Sequence, residues 1–265
     1  LADNSINQIS QSLSTKGGYL TISCEHAAEQ GHICDEDCGT LKAFGSYGDN
    51  LAGIDGDNIT INGGNIYAKG MASVPGIGKY RETVKNLTFN GGNIEAEGGE
   101  GTFATAGIGG GNWGDVNGIY INGGRITATG KGTVNGQAIG IGAGENGKAK
   151  NITISGGTVI VNDYIYARMA FSHIKITGGS ILTQGIQVRP FNNAQNPVYR
   201  TTITLEGVSK VTHVTGISIS NGGGYNKDNI FTDANGKIYL YLPKNATVTQ
   251  VKTADNTYTG YVVTT

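Results

Sequence analysis

Apolar and polar residues alternate in short runs along most of the chain, and the runs come in pairs joined by Gly-Gly. In the segment 59–70, Ile59 and Ile61 share one side of an extended stretch, Thr60 takes the other, and Ile66 and Ala68 resume the apolar side after the corner at Gly63 and Gly64. The same unit returns at 87–98 and 119–130, and in looser form at 152–163 and 174–185, with start-to-start spacings of 28, 32, 33 and 22 residues. Between units a third segment carries one more isoleucine, as in Ala52-Gly53-Ile54, Pro75-Gly76-Ile77, Ala106-Gly107-Ile108 and Ile139-Gly140-Ile141. Period-two alternation predicts strands. Recurrence of one side chain at one place in every unit predicts a solenoid whose turns bury their apolar faces on each other, since stacked hairpins would not repeat that way.

The expected architecture is therefore all-β: a three-sided parallel β-helix of roughly seven to eight turns, about 35 Å long at the usual strand spacing. Ile59, Leu87, Ile119, Ile152 and Ile174 should stack inside it, with Asn62, Asn90 and Asn122 forming a ladder along one corner. Open sheet edges at both ends call for covers. Residues 1–16 predict an N-terminal cap, in which Ile6, Ile9 and Leu13 at helical spacing behind Asp3 and Ser5 suggest a short helix, a first strand being the rival. The solenoid is expected over 17–230, and 231–265, where glycine fades and clean alternation takes over, should supply antiparallel closing strands.

Composition agrees. Glycine makes up 45 of 265 residues, far above its usual share, while only 4 prolines are present, which excludes collagen and argues against helical packing. A net charge of -1 with no run of Lys or Arg speaks against a nucleic-acid partner. No apolar stretch approaches the roughly 20 residues of a membrane span, so no membrane insertion is expected. Asn-x-Thr triplets at Asn58, Asn86, Asn151 and Asn245 sit at strand starts.

The recurring I-T-I-N-G-G-x-I, then A-x-G, then A-G-I-G-G-G, resembles the glycine-rich right-handed parallel β-helix modules of large surface proteins in Gram-positive bacteria, over about residues 17–265. The resemblance implies an extracellular, cell-surface location within a larger protein, and a carbohydrate-binding or adhesive role toward a glycan or other host- or cell-surface ligand. It brings no catalytic residues. The wider pectin-lyase-like superfamily also contains polysaccharide lyases and glycoside hydrolases, which keeps an enzyme reading in view, and a spacer or stalk is the structural alternative.

Four sets of residues carry candidate chemistry. The two-residue corner expected after Leu20-Thr21-Ile22 is replaced by a loop, 24–38, that holds every cysteine of the chain. Cys24 and Cys38 stand where a corner brings two strands together and are placed for a disulfide; alternatively Cys24, His32, Cys34 and Cys38 form a Cys3His set suited to tetrahedral zinc, with His26 to spare. Tyr80, Trp113 and Asp115 lie in glycine-flanked loops of successive turns and could stack on and hydrogen-bond a sugar. Glu95 and Glu97 alternate outward on one strand, about 6–7 Å apart, near the separation an inverting glycosidase uses, and are the alternative catalytic pair; an outward glutamate is more often a solvated one. Asp55 and Asp57, with Asn58 and Asp115 nearby, offer oxygen ligands of the kind calcium takes, although Asp and Asn are also the ordinary residues of turns.

Overall fold

The three strand segments of each repeat unit become three parallel ladders. A computed structural model describes residues 1–27, 33–34, 36–132, 138–166 and 173–259, and contains strands but no helix among them. The first face stacks Leu20–Ile22, Ile59–Ile61, Val84–Phe89, Val116–Ile121, residues 149–154 and residues 174–176. After the Gly-Gly corner the second face stacks Ile6–Ile9, Thr40–Phe44, Asn65–Lys69, Asn93–Glu97, Arg125–Thr129, residues 158–161 and residues 180–183. The third stacks Leu13–Ser14, Ile54–Asp55, Ile77–Lys79, Ala106–Gly110, Ile139–Gly142 and residues 164–166. This is a parallel β-solenoid.

Register places like on like, as the repeats predict. Ile59, Leu87, Ile119, Ile152 and Ile174 are successive partners on the first face, and Ile61, Phe89, Ile121, Ile154 and Ile176 form the adjacent column. Every one of these side chains is fully enclosed at 0% exposure. Each such burial contributes on the order of 1.5–3 kcal/mol, so the columns are the main source of stability. Asn58, Asn86 and Asn151 enter their strands at φ of 52, 55 and 60°, left-handed backbone that asparagine tolerates better than most residues.

The second and third faces approach more closely than side chains would allow. Ala43, Ala68, Ala96 and Ala128 form one column of the second face, all at 0% exposure. Opposite them lie Gly53, Gly76, Gly107 and Gly140. A methyl group added at Gly76 would fall 2.6 Å from the Ala68 carbonyl oxygen and 2.7 Å from the Glu97 nitrogen, and one at Gly107 would fall 2.7 Å from both the Ala96 oxygen and the Thr129 nitrogen. Backbone meets backbone here, with glycine on one side and alanine on the other.

Two boundaries differ from expectation. The N-terminal segment is not a helix: Ile6–Ile9 and Leu13–Ser14 pair in parallel with Thr40–Ala43 and Ile54–Asp55. The edge of the first complete turn presents a row of backbone donors and acceptors, and pairing with it satisfies more of them than a short isolated helix can. Ile6, counted toward the helical face, is 72% exposed. At the other end, among the described residues, antiparallel pairing between strands begins at Tyr199 rather than 231. Tyr199–Thr204 pairs with Lys237–Leu242, and His213–Ser220 pairs with both Ile230–Phe231 and Thr247–Thr253. Thr202-Ile203-Thr204-Leu205 alternates like the first strand of one more unit, but no Gly-Gly directly follows it, so the chain has no corner with which to continue the coil. This closing region is anchored on the last turns through the Tyr225 hydroxyl, which donates to the Gly179 carbonyl at 2.7 Å, and the Phe231 N–H, which donates to Thr158 Oγ1 at 2.7 Å.

Gly76→Ala should lower unfolding stability by about 1–3 kcal/mol, the usual range for overpacking, because the obstructing atoms are main chain and cannot rotate away. Gly48→Ala, with nothing within 4 Å, should be close to neutral. Equal denaturation midpoints for the two variants would show that the faces are not in contact.

Candidate functional site

The Gly-Gly corner between the first and second faces is lined by an amide ladder. Ser155 Oγ donates to Asn122 Oδ1 at 2.7 Å, Asn122 Nδ2 to Asn90 Oδ1 at 2.8 Å, Asn90 Nδ2 to Asn62 Oδ1 at 2.9 Å, and Asn62 Nδ2 to Ser23 Oγ at 3.2 Å. The expected Asn62, Asn90, Asn122 ladder is thus present. Gly64, Gly92 and Gly124 turn the corner at φ of 99, 95 and 85°, a conformation in which a side chain would be strained.

Over this corner lies a groove of about 180 Å³ with two walls from distant parts of the chain. Ala27, Ile33 and Cys34 of the cysteine loop form one wall, Asn229 and Phe231 of the closing region the other, and Asn62, Asn90, Gly91, Gly92, Gly124 and Arg125 complete the lining. Arg125 is half-buried, its guanidinium 4.9 Å from the centre of the Phe231 ring. Burial holds the guanidinium below its ordinary pKa, though arginine remains charged at any physiological pH. Among the described lining residues none is a carboxylate. Sequence reasoning passed over Arg125, Asn229 and Phe231. One signal was available: Arg125 follows its Gly-Gly where the two preceding units carry Asn65 and Asn93.

The cysteine loop folds onto the corner of the next turn. Cys24, Cys34 and Cys38 are all buried, and their sulfurs lie within 4.8 Å of one another. Cys34 joins the two cysteines placed for a disulfide, its sulfur 3.6 Å from that of Cys24, so three sulfurs converge where the sequence suggested a Cys24–Cys38 pair. Three thiols so placed could hold a metal ion. The Gly64 N–H donates to the Cys34 sulfur at 2.9 Å, while burial pushes the Cys34 thiol well above its ordinary value and keeps it protonated in the absence of a cation. His32, expected as the fourth ligand, lies outside the described residues. His26 instead meets Asp3, Nε2 to Oδ2 at 2.9 Å, with Glu25 beside them.

The loop residues Tyr80, Trp113 and Asp115 lie on neighbouring turns, with the Tyr80 ring close to Gly111 of the Trp113 loop. Trp113 is 59% exposed and sits at φ 60°, unusual for a bulky side chain. Tyr80 is half-buried beneath the Arg81 guanidinium, 5.1 Å from its ring centre, and faces a cavity of about 240 Å³ shared with Asp55, Lys79 and Glu82. Asp115 Oδ1 accepts the Lys148 N–H at 2.9 Å, tying one turn to the next.

The two carboxylate sets are likewise engaged. Glu97 takes Lys131 at 3.0 Å and Lys69 at 3.3 Å, and although burial pushes its carboxyl up, these two cations outweigh that and hold it below the ordinary range. A general acid needs the opposite shift. Glu95 lies exposed on the same strand. Asp57 Oδ1 accepts the Lys85 N–H at 2.8 Å and Oδ2 pairs with Lys79 at 3.1 Å, while Asp55 accepts from the Ala52 N–H and from Ser14. Among the described residues no cluster of three His, Cys, Asp or Glu side chains forms around Asp55, Asp57 or Asp115, so nothing in the structure supports the expected calcium set. These carboxylates complete strand starts and turns instead.

Compared with known protein families, curated proteins and solved structures, the chain matches none. Among the described residues no helix is long and apolar enough to cross a membrane.

Asp55 generates a pH prediction. Burial raises its carboxyl pKa against the lowering effects of the Ala52 N–H, the Ser14 hydroxyl and Lys79. A raised folded-state value favours the protonated form, so this contribution to stability is complete below the unfolded value of about 3.9 and is lost as pH climbs through the folded value. Asp55→Asn, which cannot ionise, should therefore gain in melting temperature relative to the parent as pH rises from the acid side of the carboxylate range to neutrality. A difference that stays flat with pH would contradict the shift.

Proposed function

We propose that this chain is a non-catalytic, glycan-binding module of an extracellular bacterial surface protein, built as a right-handed β-helix with capped ends. The seven rungs of the second face support a solenoid of seven turns, and right-handedness follows from the rule that governs about 98% of parallel β-crossovers. The observation that carries the binding role is the corner groove, where side-chain amides, an aromatic ring and a guanidinium line one cleft without a carboxylate among the described residues. Amides and a ring are what a sugar needs: hydroxyl partners and a flat apolar surface. Glu97, held ionised between Lys69 and Lys131, is unsuited to serve as the general acid of a hydrolase at the second face. Trp113, exposed on its loop, offers a second stacking surface.

A glycan array tests this reading. Specific hits are expected, with no release of reducing ends, and Trp113→Ala should weaken retention by a few-fold, as the loss of about 1 kcal/mol of stacking implies. Silence across the array would leave the rod as a spacer, and turnover lost in Glu95→Gln would make it an enzyme.

We assign zinc to the cysteine cluster in the same reading. At Zn–S distances of about 2.3 Å, tetrahedral geometry sets sulfurs roughly 3.8 Å apart, close to the 3.6 Å between Cys24 and Cys34. The Gly64 N–H would balance part of the thiolate charge. Zinc added to the metal-free protein is expected to bind one equivalent, release protons and raise the melting temperature, with affinity falling as pH is lowered because the thiols must be deprotonated. Cys34→Ser should weaken uptake by at least about tenfold. Unchanged zinc affinity in that variant would remove the cluster as a metal centre.

A further inference from the structure

Among the described residues that line the groove, Arg125 is the one with a permanent charge. Register aligns it with Asn93 on one side and Thr158 on the other, and the closing strand that bonds to Thr158 through the Phe231 N–H brings the Phe231 ring against the guanidinium. Glu97 shows how this fold neutralises a charge on the same face, with two lysines drawn to one carboxylate. Arg125 has no such partner: among the described residues it makes no ion pair, and the ring is its one charge-stabilising contact. A partly dehydrated cation held by packing on a ring, and left open to a groove, favours an incoming anion, for which the planar guanidinium offers two parallel N–H bonds.

The neighbouring groups define what carries that anion. Each side-chain amide has two N–H donors and two acceptor lone pairs, and the ladder uses one of each on Asn90. One donor and one acceptor are left, a set that suits hydroxyl groups, which both give and take hydrogen bonds. The side chains of an acidic peptide only accept. The groove, about 180 Å³, is smaller than the roughly 300–1,000 Å³ of sites for drug-sized ligands, so it admits a single residue or a chain end rather than a long segment.

We infer that the corner groove binds an acidic sugar residue, Arg125 clamping its anionic substituent while the amides of Asn62, Asn90 and Asn229 engage its hydroxyls. This rests on the glycan-binding reading above and deepens it by naming the sugar class. A carboxylate and a sulfate ester share the required charge.

The test compares retention of the whole chain on polygalacturonate, on a heavily sulfated polysaccharide, on a neutral galactan and on polyglutamate, at low and moderate salt. Binding to at least one acidic polysaccharide should exceed binding to the galactan by about tenfold or more, as a charge-assisted pair of hydrogen bonds implies, and the better of the two acidic arms identifies the anionic group. Free galacturonate, or a sulfated monosaccharide if that arm is stronger, should compete where galactose does not. Arg125→Gln should bring acidic binding down to the neutral level with its melting temperature kept, and Asn229→Ala should weaken binding while preserving the preference for acid. If Arg125→Gln does not fold, the competition between acidic and neutral monosaccharide on the parent protein decides. Equal binding of acidic and neutral polymers, or full acidic binding in a folded Arg125→Gln, overturns the inference while leaving glycan binding intact. Polyglutamate retained as well as the acidic sugars overturns it in favour of a peptide ligand. Failure to bind any glycan overturns both readings together.

Discussion

Main chain packed directly on main chain, along the edge where the second and third faces meet, sets the cross-section on which everything else is built. With Gly53, Gly76, Gly107 and Gly140 opposed to the alanine column, the solenoid has no space for a larger residue on that edge, and its apolar volume is pushed toward the first face. The isoleucine columns, together with Phe89, can then fill a narrow interior at 0% exposure. The abundance of glycine is therefore a packing requirement as much as a turn requirement. It also makes turn length variable at little cost, since insertions between faces leave the contact edge untouched.

That tolerance explains where chemistry can be placed. The cysteine loop occupies a position where a two-residue corner would suffice, and it lies on the following corner instead of disturbing the coil, with Ala27 and the Cys24 sulfur against Gly63. The closing region returns along the solenoid to the level of Thr158, one rung beyond Arg125. A groove results because two excursions, one early and one late in the chain, flank the same smooth corner. Neither excursion alone would enclose it.

The columns were legible in the sequence because a solenoid converts periodicity into contact: residues at equal places in successive units become neighbours without any long-range inference. Legibility fails where that equivalence fails. Ile6, Ile9 and Leu13 have helical spacing, yet the hydrogen-bonding demand of the adjacent strand edge overrides a weak local preference. Thr202 and Ile203 look like another turn, but strand 237–242, which pairs with them, lies far downstream and leaves no local trace. The cysteines could be recognised as a cluster from their confinement to one loop, whereas the convergence of all three sulfurs depends on how that loop drapes over Gly63 and Gly64. Arg125 was visible as a departure from its repeat, while its meaning depends on Phe231, more than a hundred residues later.

The amide ladder has a direction. Ser155, Asn122, Asn90 and Asn62 each give a hydrogen bond toward the earlier turn, and the same sense recurs at Asn86 to Asn58 and at Asn151 to Asn117. Aligned amides polarise one another, so the corner behaves as a row of dipoles in series. Reversing a single member would set oxygen against oxygen on one side and NH₂ against NH₂ on the other, so no amide can turn unless the row turns with it. The solenoid edge is thus a polar thread with a head and a tail, and a molecule lying along it would meet different chemistry in its two orientations.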